Sequence, residues 1–239
     1  MKILLLAAGY GTRLLPLTKK VPKCLVRIND LPLLNYWLRM LDKKGFEIIL
    51  NTHYLPNIII EFIKKQTFKN LTLSVVYEET LLGTAGTIRA NKSFFSDSDF
   101  MVIHADNLSI FNIDEFIKTH KQRKHGIEIT MMTFKTDEPQ NCGIVDVENN
   151  IVKKMHEKKF GNYGNIANGA IYLFSRKVLD FISDKSIDDI STQVIPEFLG
   201  RIQVFQNNTY HRDIGNMESY SKANMEIKNI NVEEYLQYE

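Results

Sequence analysis

Residues 1–25 read MKILLLAAGYGTRLLPLTKKVPKCL and place a strand-like pattern directly before a loop-like one. The apolar run at residues 2–7 has the composition of a strand buried on both faces, as in a parallel sheet flanked by helices. It ends at two glycines, Gly9 and Gly11, after which prolines and cationic residues follow. Because open α/β sheets bind ligands just beyond the carboxyl ends of their strands, we expect this segment to form a ligand-binding loop.

Strand-like and helix-like segments alternate along the next hundred residues. Strands are predicted for residues 46–51, 71–79, 99–106 and 126–134, and helices for residues 33–45, 58–66, 83–94 and 113–124. Short strands prevail beyond about residue 140, together with helical stretches at residues 176–182, 188–200 and 218–227. The pattern predicts one α/β domain over residues 1–239, with a mixed, mostly parallel sheet flanked by helices.

Composition and charge exclude several classes of protein. The 239 residues are 44% hydrophobic and 24% charged, which is typical of a soluble globular protein. A net charge of +2 gives no electrostatic reason to expect a nucleic acid or an anionic membrane as a partner. The two cysteines lie far apart in the sequence, and no apolar run approaches a membrane span. We therefore expect a cytoplasmic protein, with the choice between monomer and homo-oligomer left open.

The glycine loop differs from the two common phosphate-binding motifs. Leu14 occupies the third glycine position of the dinucleotide fingerprint, and no acidic residue ends the second predicted strand. The P-loop pattern is absent as well. What remains are glycines that let main-chain N–H groups approach an anion, the planar guanidinium of Arg13 and the ammonium of Lys23. The loop is thus expected to bind phosphates, but not as an NAD-binding or P-loop motif.

The motifs LAAGYGTRL (6–14) and VPKCL (21–25) resemble the signature of the sugar-1-phosphate nucleotidyltransferases. Further segments follow in the order found in that family: LLGTAGTIRA, HADN, NCGIVDVE, HEKK, IANGAIYLF and YHRDIGNMESYSKAN. The resemblance covers nearly the whole chain and implies a Rossmann-like nucleotidyltransferase A-type fold. It also implies a nucleotide-binding half at about residues 1–140 and a sugar-phosphate-binding half at about residues 141–239. Such enzymes couple a nucleoside triphosphate to a sugar 1-phosphate and release pyrophosphate.

Two aspartates are candidates for binding the divalent cation that this chemistry uses. Asp106 ends a predicted strand at the edge where ligands bind, and Asp213 follows a short strand near the other end of the chain. Carboxylate and phosphate oxygens are the ligands that Mg²⁺ prefers. By resemblance, Asp106 and Asp213 match the metal-binding aspartates of the family, which implies Mg²⁺ as the cofactor.

The resemblance also assigns roles to cationic residues. Arg13 is expected to hold the triphosphate, and Lys23 to bridge the α-phosphate and the attacking phosphate. Lys158, in HEKK, matches the lysine that binds the sugar phosphate. The family continues with proline at the next position, whereas this chain has Lys159. The predicted catalytic residues are therefore Arg13, Lys23, Asp106 and Lys158, and the predicted acceptor-binding residues are Gly143, Glu157, Lys158 and Asn168.

The predicted nucleotide pocket combines small residues with an acidic one. Its members are Leu6, Ala8, Gly9, Gly11, Thr12, Glu78, Gly83 and Thr84. A glutamate at position 78 or 79 can accept hydrogen bonds from guanine N1–H and N2–H₂ or from cytosine N4, whereas uracil and thymine offer only N3–H. The segment EETLLGTAG resembles the mannose-1-phosphate and heptose-1-phosphate guanylyltransferase branch.

The predicted reaction is therefore transfer from GTP to mannose 1-phosphate or heptose 1-phosphate. Two alternatives remain open at this stage. One is a cytidylyl- or uridylyltransferase that acts on another sugar phosphate or on a non-sugar phosphate. The other is a catalytically silent relative that binds nucleotide sugars.

Overall fold

The computed structural model describes residues 1–42, 45–95, 98–157 and 161–236. The strands are β1 Lys2–Leu6, β2 Arg27–Ile28, β3 Leu31–Pro32, β4 Glu47–Thr52, β5 Thr72–Tyr77, β6 Phe100–His104, β7 Asn107–Ile110, β8 Ile129–Lys135, β9 Gly143–Glu148, β10 Ile151–Glu157, β11 Ile166–Phe174, β12 Ile202–Gln206 and β13 Tyr210–Asp213. The α-helices are α1 Leu33–Leu41, α2 Pro56–Lys64, α3 Thr84–Ala90, α4 Ile113–Lys121, α5 Arg176–Asp184 and α6 Met217–Glu226.

A nine-stranded mixed sheet runs through the molecule in the order β5-β4-β1-β6-β11-β8-β12-β10-β9. Its first four strands are parallel to one another, so their carboxyl ends meet at one edge. The direction changes at β11, which pairs antiparallel with both β6 and β8. The predicted α/β class, with a parallel N-terminal half and a strand-rich C-terminal half, is confirmed.

Strand β1 shows why its sequence is apolar throughout. Successive side chains of a strand point to opposite faces of the sheet. Ile3 and Leu5 pack on one face with Trp37 of α1, whereas Leu4 packs on the other face with the cluster that contains Val178 of α5. Fully burying one such side chain stabilises the fold by about 1.5–3 kcal/mol. Helices on both faces therefore hold β1 rigidly beneath the loop that follows it.

Two segments differ from the sequence-based expectations. The region before residue 31, expected to be a loop, contains 3₁₀ turns and the short hairpin β2–β3. Of the predicted helical stretch at residues 188–200, residues 190–198 are helical but not α-helical, because a π-helical turn at Ile190–Val194 leads into a 3₁₀ turn at Ile195–Phe198. Pro196, which lacks an N–H group, lies where the helix type changes. The segment after Pro56, predicted to be helical at residues 58–66, forms helix α2 as expected.

A small two-stranded sheet was not expected from the sequence. Strand β7 directly follows the turn after β6, and it pairs antiparallel with β13 so that Asn107 lies opposite Asp213. The two strands are about a hundred residues apart in the chain, and no local pattern announces their pairing. This sheet carries Asp213 to the carboxyl edge of β6.

No helix among the described residues has the length and apolar character needed to cross a membrane.

Candidate active site

A cleft of about 420 Å³ opens at the carboxyl ends of β1, β4, β5 and β6. Its walls include the glycine loop after β1, the ends of β4 and β5, and the start of α3. All eight residues predicted to bind the nucleotide line this cleft: Leu6, Ala8, Gly9, Gly11, Thr12, Glu78, Gly83 and Thr84. Arg13, Lys23 and Asp106 line it as well. The structure therefore brings these predicted residues together around a single cavity.

Lys23 lies between the two aspartates that were predicted to bind metal. Its Nζ is 2.7 Å from Asp106 Oδ2 and 3.6 Å from Asp213 Oδ1. The lysine side chain is 9% exposed, whereas the two aspartate side chains are 38% and 42% exposed. The ammonium is thus fixed inside the protein, while both carboxylates face the solvent-accessible side of the cluster.

Local structure explains how this cluster forms. Pro22 leads into a 3₁₀ turn at Lys23–Leu25, in which Cys24 and Leu25 are buried and anchor the turn in the core. Asp106 follows β6, and β13 positions Asp213 through its pairing with β7. Residues from three distant parts of the chain therefore meet at one point, because a core turn, a strand end and a two-stranded sheet converge there.

The electrostatic environment keeps Asp106 ionised. Burial alone would raise the pKa of this carboxyl group, but the nearby charge of Lys23, with hydrogen bonds from Lys23 and the main chain, holds it below its usual value. Burial lowers the pKa of the neighbouring His104 more than the surrounding carboxylates raise it. At neutral pH the site therefore presents a carboxylate beside an uncharged imidazole.

The two aspartates fit a magnesium ion only in partnership with a substrate. Mg²⁺ in phosphoryl-transfer sites is commonly held by one or two carboxylates, with phosphate oxygens and water completing its shell. Asp106 and Asp213 provide two carboxylates that converge on the same ammonium. Within the described parts of the chain, no group of three or more His, Cys, Asp or Glu side chains could hold a metal by itself.

Gly215 is a residue that the sequence reasoning did not single out. A Cβ atom at this position would lie 2.8 Å from Asp213 Oδ2 and 3.3 Å from Arg13 Nη1. The absence of a side chain therefore leaves the space in which the aspartate and the arginine approach each other. The sequence signal was present in the motif RDIG, where a glycine follows the aspartate by two positions.

Glu78, the predicted acceptor for the nucleobase, is 5% exposed and lies in a hydrogen-bonded network. Its Oε1 accepts hydrogen bonds from Asn51 Nδ2 at 2.9 Å and from Thr87 Oγ1 at 2.5 Å. Its Oε2 accepts one from the main-chain N–H of Leu82 at 3.2 Å. Asn51 and Thr87 were not predicted to belong to the site, although an asparagine near the end of an apolar strand was a visible signal.

Gly83 and Thr84 contact the C-terminal half of the chain. A Cβ on Gly83 would lie 2.3 Å from the carbonyl oxygen of Asp188. The hydroxyl of Thr84 accepts a hydrogen bond from the N–H of Ile190 at 2.8 Å and lies 3.3 Å from Asp189 Oδ2. Both residues therefore line the cavity and also connect the nucleotide side of the cleft to residues 188–190.

The residues predicted to bind the acceptor lie on the C-terminal strands. Gly143 and Glu157 are partners in the β9–β10 ladder, and a Cβ on Gly143 would lie 2.6 Å from Glu157 Oε2. Asn168 lies on β11, which pairs with β9 at the neighbouring position. These three residues therefore share one region of the sheet, but the lining of the 420 Å³ cleft described above does not include them. Lys158 lies outside the described residues.

Asn168 also stabilises an irregularity in its strand. Its Oδ1 accepts a hydrogen bond from the N–H of Ala170, and its Nδ2 donates to the hydroxyl of Tyr172 at 2.7 Å. The register of β11 shifts between Asn168 and Tyr172, and Ala170 adopts a left-handed conformation with φ of 55°. A bulge of this kind redirects side chains at the strand.

Known proteins resemble this chain in sequence and in fold. Probable mannose-1-phosphate guanylyltransferase 2 of Oryza sativa subsp. japonica is 35% identical over 212 residues, which cover 86% of this chain and 58% of that protein. The mannose-1-phosphate guanylyltransferase catalytic subunit beta of Xenopus tropicalis is 31% identical over 228 residues, covering 92% of this chain and 62% of that protein. The chain thus spans less than two thirds of the length of these curated relatives.

Solved structures agree with the observed fold. The crystal structure of HddC from Yersinia pseudotuberculosis superposes with a TM-score of 0.79 at 28% identity, covering 95% of this chain and 99% of that one. UDP-glucose pyrophosphorylase complexed with UDP-glucose has the same fold, with a TM-score of 0.78 at 20% identity over 95% of this chain and 98% of that one. The model of the family described as nucleotidyl transferase matches residues 2–230, a span that includes the glycine loop, the Lys23 cluster and Glu78. The predicted resemblance is confirmed, and this chain belongs to the nucleotidyl transferase family.

Proposed function

We propose that this protein transfers a guanylyl group from GTP to mannose 1-phosphate or heptose 1-phosphate, with Mg²⁺ as cofactor. The observation that carries the proposal is the placement of the Lys23 ammonium between Asp106 and Asp213, beside a glycine loop. Such a cluster combines a fixed cation with two carboxylates for a divalent ion. Joining two phosphorylated substrates needs this combination, because several negative charges must be brought together.

The reaction is an in-line displacement at the α-phosphorus. An oxygen of the sugar phosphate forms a new bond to this phosphorus, and the bond to the bridging oxygen of the β-phosphate breaks. Pyrophosphate leaves with the electron pair of that bond. No general base is needed, since the attacking phosphate oxygen is already anionic at neutral pH.

The cationic and acidic side chains of the cleft have separate roles in the proposed reaction. Lys23 is positioned to stabilise charge on the α-phosphate and the attacking phosphate, because its ammonium is held on the side of the two aspartates. Arg13 lines the cleft from the glycine loop and is suited to stabilise the departing pyrophosphate. When bound at Asp106 and Asp213, Mg²⁺ supplies further neutralisation of phosphate charge.

The choice of GTP rests on Glu78, a hydrogen-bond acceptor that lines the cleft. The side chain of Glu78 offers carboxylate oxygens as hydrogen-bond acceptors, and guanine presents two adjacent donors, N1–H and N2–H₂. Relatives with 31–35% identity are named as mannose-1-phosphate guanylyltransferases. HddC at 28% identity has been crystallised in complex with GMP-PN. These observations support a guanine nucleotide over the cytidylyl and uridylyl alternatives.

The proposal is tested by measuring pyrophosphate release. Each of GTP, ATP, CTP and UTP is incubated with mannose 1-phosphate, heptose 1-phosphate, glucose 1-phosphate or a non-sugar phosphate, with and without Mg²⁺. We expect the highest kcat/KM with GTP and one of the first two acceptors, and loss of turnover on chelation. Turnover with CTP or UTP instead would refute the nucleotide assignment. An absence of turnover with every pair would indicate a silent nucleotide-sugar-binding relative.

A further inference from the structure

Asn51 and Thr87, which line the nucleotide cleft together with Glu78, form a hydrogen-bonded network with it. Asn51 lies near the end of β4, Glu78 directly after β5, and Thr87 in α3. The three side chains belong to residues that are 3%, 5% and 1% exposed, respectively. Asn51 Nδ2 lies 3.3 Å from Thr87 Oγ1, so the hydroxyl can accept from the amide while it donates to the carboxylate. Each of the three polar groups is therefore joined to the other two.

This network restricts which groups Glu78 can still bind. A carboxylate accepts about four hydrogen bonds, two at each oxygen. Asn51 and Thr87 both donate to Oε1, and the N–H of Leu82 donates to Oε2. Since Glu78 lines the cleft, the one acceptor position left on Oε2 is available to a ligand bound there. The carboxylate is consequently a fixed acceptor and cannot rotate to suit another base.

The amide of Asn51 also has a partner at the start of the glycine loop. Its Oδ1 accepts a hydrogen bond of 2.7 Å from the main-chain N–H of Ala7, the first residue after β1. This bond settles the orientation of the amide, because a main-chain N–H can only donate and a carboxylate can only accept. One buried side chain therefore sets the position of the glycine loop and that of Glu78 relative to each other.

We propose that Asn51 and Thr87 are positioning residues that hold Glu78 as the determinant of nucleobase specificity. This inference rests on the proposed guanylyl transfer and extends it to two residues that do not touch the reacting atoms. Their donors hold a buried carboxylate in one orientation without a cationic partner among the hydrogen bonds described above. Guanine can bring N1–H, flanked by its amino group, to the one acceptor position left on Oε2, whereas uracil would place carbonyl oxygens on both sides of its single N3–H.

The pair Thr87→Val and Thr87→Ser provides the test with the least structural disturbance. Valine has nearly the shape of threonine but cannot donate to Glu78 Oε1, whereas serine retains the hydroxyl. We expect Thr87→Val to lower kcat/KM for GTP about tenfold through a higher KM, with kcat/KM for UTP nearly unchanged. We expect Thr87→Ser to preserve the ratio of GTP to UTP within about twofold.

Asn51→Asp gives a second and stronger perturbation. Aspartate keeps an acceptor for the N–H of Ala7 but places a like charge against Glu78 in place of a donor. We expect a larger loss of GTP preference than with Thr87→Val. Asn207→Asp serves as the matched control, because Asn207 is 6% exposed and also donates from its amide, to the carbonyl of Tyr210 outside the cleft. It should lower stability while the GTP to UTP ratio stays the same.

The readouts separate positioning from simple destabilisation. A variant that only unfolds more readily loses active enzyme, so its apparent kcat falls equally for GTP and UTP and the ratio is unchanged. An unchanged ratio in both Thr87→Val and Asn51→Asp, with the parent protein turning over GTP, would overturn this inference alone. If the parent protein turns over no nucleotide, the proposed function fails instead, so the two failures are distinguishable.

Discussion

Replacing Gly215 with alanine should damage catalysis much more than stability. Gly215 lies beside the aspartate cluster, and an added Cβ would lie 2.8 Å from Asp213 Oδ2 and 3.3 Å from Arg13 Nη1. Both neighbouring atoms are ends of side chains rather than main-chain atoms. The fold can therefore accommodate the methyl group by moving the side chains that the proposed reaction requires in place.

The size of the effect follows from the distances. Because non-bonded heavy atoms settle at separations of about 3.5 Å, Asp213 Oδ2 must move by roughly 0.7 Å. A misplacement of about 1 Å at a reacting centre costs about 10²-fold in rate, so we expect kcat to fall between about tenfold and 100-fold. The unfolding free energy should change by less than about 1 kcal/mol, since glycine-to-alanine changes also restrict the unfolded chain.

The assay combines pyrophosphate release at saturating GTP and acceptor with thermal unfolding of the same samples. A control in the Asp213→Ala background removes the carboxylate that the new methyl group would meet. There, Gly215→Ala should have a much smaller further effect on the residual rate, because the shorter of its two contacts is gone and only the 3.3 Å approach to Arg13 Nη1 remains. A Gly215→Ala protein with the parent kcat, or an additive loss in the Asp213→Ala background, would refute this reasoning.

Three further predictions concern charged groups. Asp106→Asn should lower Mg²⁺-dependent kcat by about 10²–10³-fold with an unchanged circular dichroism spectrum, and retention of the rate would exclude Asp106 from the site. Lys23→Ala should lower kcat by a similar factor, about 10²–10³-fold, and an unchanged rate would contradict its bridging role. Burial lowers the pKa of His120 below its ordinary 6.5 even though Asp99 lies 3.2 Å from its Nε2, so protonation favours the unfolded chain. Stability should therefore fall as the pH drops below 6.5, and denaturant titrations should show a smaller fall for His120→Gln; equal slopes for both proteins would contradict this explanation.

Local sequence was sufficient to predict most of the main sheet. The apolar run of β1 and its following glycines were recognisable because burial on both faces requires an unbroken apolar strand. The predicted nucleotide residues all line one cleft because they lie at the ends of neighbouring parallel strands, which meet at one edge by geometry. Periodicity and turn chemistry are properties of adjacent residues, so they can be read along the chain.

Strand β7 and the π-helical turn at Ile190–Val194 could not be predicted in the same way. Strand β7 comprises Asn107–Ile110 and exists through its pairing with β13. The turn at Ile190–Val194 is held by Thr84, whose hydroxyl accepts a hydrogen bond from the N–H of Ile190. In both cases the stabilising partner lies about a hundred residues away, so no local pattern carries the information.

The candidate site likewise combines features that the sequence predicted with features that only the tertiary structure set. The candidates for binding phosphate and a divalent cation, Arg13, Lys23, Asp106 and Asp213, come from motifs, their chemistry and the family resemblance. The position of Lys23 between the two carboxylates, the space left by Gly215, and the hold of Asn51 and Thr87 on Glu78 come from contacts between distant segments. Sequence thus indicated the chemistry, whereas folding set the distances, because side chains acquire fixed separations only when a packed core joins the elements that carry them.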